Sequence, residues 1–182
     1  IQPIVRRVDP TEAPSWGGTR ALLFGSDLTV GSLFSIDGNL VERSTFISDG
    51  CNALVEITIP PGEGEGVSLE VESLNGQFSV LPEAINYIPP QFFPSEGLTG
   101  GYTNLRLKGL DLRAGLSVFF NGRLPRELIQ VNDQEWLVLT PSLEVGPVQV
   151  EIRNLDGRGL NALDLYQARR YTDQGPDSLT AL

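Results

Sequence analysis

The sequence predicts an all-β chain built as two tandem β-sandwiches. Three observations carry the prediction. Turn-forming residues recur at a near-constant offset, the segments between them alternate apolar and polar residues, and no ten-residue stretch holds a helical period. Pro10, Gly25, Asp27 and Gly38 recur 84 residues on as Pro94, Gly109, Asp111 and Gly122. Gly17-Gly18 recurs at 83 as Gly100-Gly101, whereas Pro60 and Leu74-Asn75-Gly76 recur at 81 as Pro141 and Leu155-Asp156-Gly157. The first copy therefore carries about three extra residues between Gly38 and Pro60. Tyr87 is matched at 84 to Tyr171, which requires the second copy to recover those residues before its end.

The strands follow from a period of two. Val67–Val71 and Val148–Ile152 alternate strictly, Leu105–Gly109 does the same, and Ala53–Ile59 does so less strictly. Leu116–Phe120 runs into Asn121-Gly122, a strong hairpin dipeptide. Counting runs bounded by turns gives about seven short strands per copy. The expected core of the first copy is Leu22, Phe24, Leu54, Ile57, Val67, Leu69 and Val71. That of the second is Leu105, Leu107, Val118, Phe120, Leu137, Leu139, Val148, Val150 and Ile152. The domains are predicted as 1–87 and 88–172, with 173–182 a polar tail or linker. Pro89-Pro90 holds the junction near an extended conformation.

Composition excludes several functions. The 182 residues contain no His and one Cys, so there is no Ser-His-Asp or Cys-His machinery, no His-ligated metal and no internal disulfide. Net charge is -10, from Lys+Arg 13 against Asp+Glu 23, which opposes nucleic acid and anionic membrane surfaces. Residues 1–88 hold 4 basic and 12 acidic side chains, leaving 9 and 11 for the remainder, so the first copy carries most of the charge. No apolar run approaches the roughly 20 residues that span a bilayer. Starting at Ile1 and lacking Met, the chain reads as a processed protein or a segment of a longer one.

Each copy resembles an IPT/TIG domain, the immunoglobulin-like module named for plexins and transcription factors. The first shows Val8-Asp9-Pro10, Trp16-Gly17-Gly18-Thr19, Leu23-Phe24-Gly25, Ile36-Asp37-Gly38, Ile59-Pro60-Pro61, Asn75-Gly76 and Tyr87. The second shows Phe92-Phe93-Pro94, Gly100-Gly101-Tyr102-Thr103, Leu107-Lys108-Gly109, Asn121-Gly122, Thr140-Pro141, Asp156-Gly157 and Tyr171. Both depart alike from the family, with Asp27-Leu28 and Asp111-Leu112 where an aromatic usually follows the glycine. The resemblance implies two immunoglobulin-like sandwiches of the E-set type in a bacterial secreted or cell-surface protein, extracellular or periplasmic. It implies no enzyme, no cofactor and no metal. The expected role is a spacer or adhesive protein-interaction module, with neighbouring domains or another protein as partner. The alternative is a glycan-binding accessory module.

The glycan alternative rests on exposed aromatics, on which sugar rings stack. Its candidate ligand-binding residues are Trp16, beside the Gly17-Gly18 turn and expected to be partly exposed, Trp136, at the start of a strand in the core or on an edge, and Tyr102. Tyr102 and Phe92-Phe93 are expected to pack near the junction. A third reading is a partner-binding edge strand, which requires an unpaired apolar outer strand. Gly62–Gly66 lacks the Lys and Ser/Thr of a phosphate loop and reads as a solvated hairpin or a weak calcium site. Cys51 reads as a buried free thiol, and Arg6-Arg7 and Arg169-Arg170 as balancing nearby carboxylates.

Overall fold

Alternation and turn chemistry place nine strands in the first half of the chain. In a computed structural model, which describes residues 1–170, they are β1 (Ile4–Asp9), β2 (Glu12–Pro14), β3 (Arg20–Ser26), β4 (Leu33–Ile36), β5 (Asn39–Leu40), β6 (Ser44–Ser48), β7 (Ala53–Thr58), β8 (Val67–Glu72) and β9 (Phe78–Ile88). The second half holds β10 (Gln91–Phe93), β11 (Glu96–Leu98), β12 (Asn104–Lys108), β13 (Ser117–Phe120), β14 (Glu127–Asn132), β15 (Glu135–Leu139), β16 (Gly146–Pro147), β17 (Val150–Arg153), β18 (Gly159–Ala162) and β19 (Gln167–Arg169). The chain divides into a unit Ile1–Pro89 and a second that starts at Pro90. Tyr171 and the 173–182 tail lie outside the described residues.

In the first unit one sheet runs β1-β3-β7-β6 and the other β2-β9-β8-β4-β5. The second repeats this as β10-β12-β15-β14 in one layer, with β11-β19-β16 and β13-β17-β18 in the other. Pairing is antiparallel except where β2 meets β9 and β11 meets β19. The first strand of each unit is thus shared between two sheets, and the order is immunoglobulin-like. Pro10 and Pro94, each after a cis peptide bond, stand where that strand changes sheets. Proline has no N–H to leave unpaired at the break. Each unit has more strands than the seven expected, because the split first strand and two-residue pieces such as β5 are too short to show a period.

The turn residues act as their types require. Asp37-Gly38 and Asn121-Gly122 have φ of 49° and 75° in both copies, the left-handed pair of a two-residue hairpin. Asp27 and Asp111 sit at φ 57° and 58°, where Asp is among the few side chains tolerated, and Leu28 and Leu112 behind them are fully buried. That is the physical content of the shared departure from the family pattern.

Three sequence expectations need correction. Gly17 N–H donates to Pro14 O and Gly101 N–H to Leu98 O, while Gly18 N–H donates to Ile59 O and Tyr102 N–H to Thr140 O, so the Gly17-Gly18 turn recurs at 84 as Gly101-Tyr102 and not at 83 as Gly100-Gly101. Ala13 faces Tyr87 across the parallel ladder, and Gly97 faces Ala168. The offset therefore stays at 81 to the end of the last strand, and Ala168 rather than Tyr171 holds the place of Tyr87. The core is also out of phase in β3 and β15, and in part in β7, where the expected Ile57 is buried but the expected Leu54 is not. Ala21 and Leu23 point inward in β3, Val55 and Ile57 in β7, and Trp136 and Val138 in β15, while Leu22, Phe24, Leu54 and Leu139 are half-buried and Leu137 is exposed. These strands carry apolar residues on both faces, so alternation alone leaves the phase open. In β3 the outward Phe24 ring is covered by the Arg7 guanidinium, 4.0 Å from its centroid.

Tyr87 closes the first core. It is 3% exposed, and its hydroxyl donates to the Pro60 carbonyl at 2.8 Å. Burial, and secondarily the Asp37 carboxylate, push its phenol from the ordinary 10.0 up to about 12. Because the folded value is the higher one, the protonated phenol's contribution is whole below pH 10 and is lost as pH rises through 12. Stability is expected to fall by about 2–3 kcal/mol over that window. Tyr87→Phe is expected to cost about 1 kcal/mol at neutral pH. The variant also flattens the alkaline fall, leaving only the part due to Tyr166, whose phenol burial likewise raises. Denaturant midpoints at pH 7, 10 and 12 for both proteins check this; an unchanged alkaline slope in the variant refutes it.

Candidate functional site

Neither tryptophan presents a face to solvent. Trp16 is 4% exposed and Trp136 6%. The Gly17-Gly18 turn folds back onto the Ile59–Pro61 backbone: Gly18 N–H donates to Ile59 O at 2.8 Å, and a Cβ on Gly17 would lie 2.5 Å from the Pro60 carbonyl carbon. The glycine turn beside Trp16 does not expose it. Trp136 holds an inward position on β15, and its Nε1–H donates to Leu112 O at 2.9 Å. A glycan platform built from the two indoles is therefore overturned.

Tyr102 behaves differently. It is 65% exposed rather than packed, and it sits at φ 61° with its N–H donating to Thr140 O at 3.1 Å. The Arg126 guanidinium lies over its ring at 4.0 Å. Arg126 Nη2 also reaches Ser142 Oγ at 3.2 Å, and Arg123 Nη1 reaches Ser142 O at 3.1 Å. Of its neighbours in sequence reasoning, Phe92 is buried in the second core, and Phe93 is half exposed with Lys108 Nζ 5.8 Å from its ring. Arg123 and Arg126 are not adjacent in sequence, and only the fold brings both to Ser142. Their spacing across a Pro-containing turn carried no signal.

A second surface lies on the outer face of β4, β8 and β9. Register places Leu33, Glu72 and Phe78 in one cross-strand row and Leu40, Ser35, Glu70 and Val80 in the next. Leu33, Leu40, Phe78 and Val80 are 55%, 56%, 54% and 42% exposed, although their strand neighbours Phe34, Leu69 and Val71 are core. Neither Glu70 nor Glu72 is ion-paired among the described residues. The corresponding rows of the second sandwich are Ser117, Arg153, Gly159 and Phe119, Glu151, Asn161. There Arg153 is paired to Glu151 at 2.5 Å, so the charge is neutralised, and the half-buried Phe119 is the one apolar side chain in these rows.

Edge strands contribute less. β6 exposes Ile47, and β14 exposes Ile129 and Val131 with one side of its ladder unpaired. An open depression of about 300 Å³ is lined by Ile1, Asp27, Thr29, Ser73, Leu74 and Asn75 and offers one carboxylate and no ring. Among the described residues no three His, Cys, Asp or Glu side chains are grouped to hold a metal ion, and no helix is long and apolar enough to cross a membrane. Cys51 is exposed on a single 3₁₀ turn, Gly50–Asn52, not buried as expected, since that turn contributes nothing to the core. Arg7 stacks on Phe24 and Arg6 donates to Ser26 Oγ at 3.2 Å, so among the described residues this pair meets no carboxylate, contrary to expectation; Arg169 does, meeting Glu96 at 2.7 Å.

No family model and no curated protein matches the chain. Similar solved structures include the full extracellular region of Plexin A4, at 15% identity and TM-score 0.41, over 92% of this chain and 18% of that one. SGBP-B of the Bacteroides ovatus mixed-linkage glucan utilization locus, in complex with a mixed-linkage heptasaccharide, matches at 16% and 0.39, over 93% and 46%. The I9-I11 tandem of titin matches at 9% and 0.43, over 92% and 64%. The chain thus spans less than two thirds of each. All three TM-scores lie below 0.5, and the functional reading rests on this chain's own residues.

Proposed function

We propose that the chain is a non-catalytic binding and spacing module of a cell-surface or extracellular protein, with IPT/TIG-like domains, and that it engages a protein partner through the outer β4-β8-β9 face of its first sandwich. The observation that carries this is the contrast between copies. One fold presents exposed Leu33, Phe78 and Val80 with Glu70 and Glu72 unpaired among the described residues; in the other, Ser117, Gly159 and Asn161 stand at those three apolar positions and Arg153 pairs with Glu151. Isolated exposed apolar residues need no explanation, but clustered ones on a sheet face mark an interaction surface. The two carboxylates, in a half of the chain holding 4 basic against 12 acidic residues, select a partner whose apolar contact is ringed by Lys or Arg.

The test uses defined strand peptides of alternating Lys and Leu, or Glu and Leu, titrated against the whole chain with amide shifts read by NMR. The Lys–Leu peptide is expected to perturb Leu33, Glu70, Glu72, Phe78 and Val80, and the Glu–Leu peptide to leave them still. Glu70→Lys with Glu72→Lys is expected to weaken Lys–Leu binding about tenfold, or about 1.4 kcal/mol. Binding that ignores the charge reversal overturns the reading. A second reading, strand addition at β14, is favoured by exposed Ile129 and Val131 on an unpaired edge. It predicts perturbation along Glu127–Asn132 instead.

A further inference from the structure

We propose that Tyr102, Arg123 and Arg126 form a binding site on the second sandwich for an anionic sugar, a glycan bearing uronic acid residues. The sugar ring would lie along Tyr102 and its carboxylate between the two guanidinium groups. This stands apart from the protein-binding face, which lies on the other sandwich.

Three features of the site point to a ligand. The aromatic ring is held out rather than packed: Tyr102 is 65% exposed and sits at φ 61°, a conformation that a bulky side chain adopts at a cost. The second feature is uncompensated positive charge. Arg123 and Arg126 are exposed, and neither lies within 4.0 Å of a carboxylate among the described residues, although the whole chain has 23 acidic side chains. The third is pre-organisation. Ser142 draws both arginines together through its carbonyl and hydroxyl, and that hydroxyl is itself anchored to Gly100 O at 3.1 Å. The loop under it is pinned by Leu143 N–H to Thr99 O at 2.8 Å. Each guanidinium spends one hydrogen bond on Ser142, out of five donors.

The internal repeat supplies a control. At the offset of 84, Tyr102, Arg123 and Arg126 correspond to Gly18, Asn39 and Glu42, and at 81 Ser142 corresponds to Pro61. None of the four is needed for the sandwich, since the other copy builds the same topology without them.

The chemistry selects the ligand class. Planar guanidinium forks bind carboxylates in a bidentate way that a hydroxyl cannot match. An exposed tyrosine ring suits the C–H face of a pyranose and offers a main-chain peptide little. Local charge also matters. With 9 basic against 11 acidic residues, the second half of the chain repels a polyanion far less than the first, with 4 against 12. Binding is therefore expected to be modest and to weaken with salt.

The probes are an oligogalacturonate, the neutral galactan oligosaccharide of the same length, and poly-glutamate, each titrated against the whole chain by calorimetry at low salt. Oligogalacturonate is expected to bind and neutral galactan not. Arg123→Gln with Arg126→Gln is expected to weaken binding at least tenfold. Tyr102→Asn, which retains a residue suited to φ 61°, is expected to weaken it about fivefold with an unchanged melting transition. No oligogalacturonate binding, equal binding of neutral galactan, or equal binding of poly-glutamate that ignores Tyr102→Asn overturns the proposal. If Tyr102→Asn lowers the melting transition, amide shifts of wild-type Tyr102 and Arg126 on adding oligogalacturonate decide the matter, and their absence overturns it.

Discussion

Gly25→Ala is expected to destabilise the protein by about 3 kcal/mol, and Gly109→Ala, its counterpart in the repeat, by about 1 kcal/mol. Both glycines occupy one position of the pattern, 84 residues apart. A Cβ on Gly25 would run into the main-chain carbonyl oxygen of Ile4 in the neighbouring strand β1, and backbone cannot swing aside as a side-chain tip can. Gly25 lies opposite Val5, beside the point where the β1–β3 register slips between Val5 and Arg7, where the two strands come close. At Gly109 the nearest atoms are Pro90 Cα at 3.3 Å and Pro90 Cβ at 3.4 Å, a contact that a few tenths of an ångström relieve. Neither glycine has a positive φ, so the difference is steric rather than conformational. Denaturant unfolding of both variants measures it, and equal losses would refute the argument.

How much of this was legible in the sequence depends on which residues carried the signal. Turns were legible because their chemistry is local. Asp37-Gly38 and Asn121-Gly122 fix left-handed backbone whatever surrounds them, and both copies obey. Apart from the Gly101-Tyr102 turn, the repeat was legible for the same reason, up to the last strand. There the Tyr87 match slid to Tyr171, because one aromatic resembles another and Ala168 announces nothing. Strand phase was legible where one face is polar, as in β8 and β17, and lost in β3, where Ala21-Leu22-Leu23-Phe24 is apolar on both faces and Arg7 covers the outward side from a different strand. The candidate site divided along the same line. Trp16 and Trp136 looked available because tryptophan is scarce and a glycine turn stood beside one of them. Trp136 is held by the Leu112 carbonyl, and the turn beside Trp16 folds onto Ile59–Pro61, both distant in sequence. Tyr102 is legible as an aromatic beside a glycine turn, but its partners Arg126 and Ser142 are brought to it only by the fold.

Phe120→Ala is expected to be the costliest single truncation in the second sandwich, at about 4 kcal/mol. Phe120 is fully buried, with its ring centroid 5.6 Å from that of Phe92 and 5.7 Å from that of Tyr166, and the latter two are 6.3 Å apart. The planes of Tyr166 stand near edge-on to both, at 73° and 77°, an arrangement that adds to the area each ring buries. The repeat shows what these positions need. Phe92 and Phe120 correspond at 84 to Val8 and Ile36, and Tyr166 corresponds at 81 to Ile85, all three buried. One topology is filled by three aromatics in one copy and by three aliphatics in the other. In both, the large side chains must fill the space together, because a packed interior leaves no slack for one to shrink alone. Single replacements toward the first copy, Phe92→Val, Phe120→Ile and Tyr166→Ile, are therefore expected to cost about 2–3 kcal/mol each. The triple replacement is expected to cost measurably less than their sum, because the three cavities merge and neighbouring side chains collapse into the shared space. Denaturant midpoints for the three singles and the triple give the coupling directly. Strict additivity would mean that the rings act independently and that the aromatic contacts contribute only their buried area.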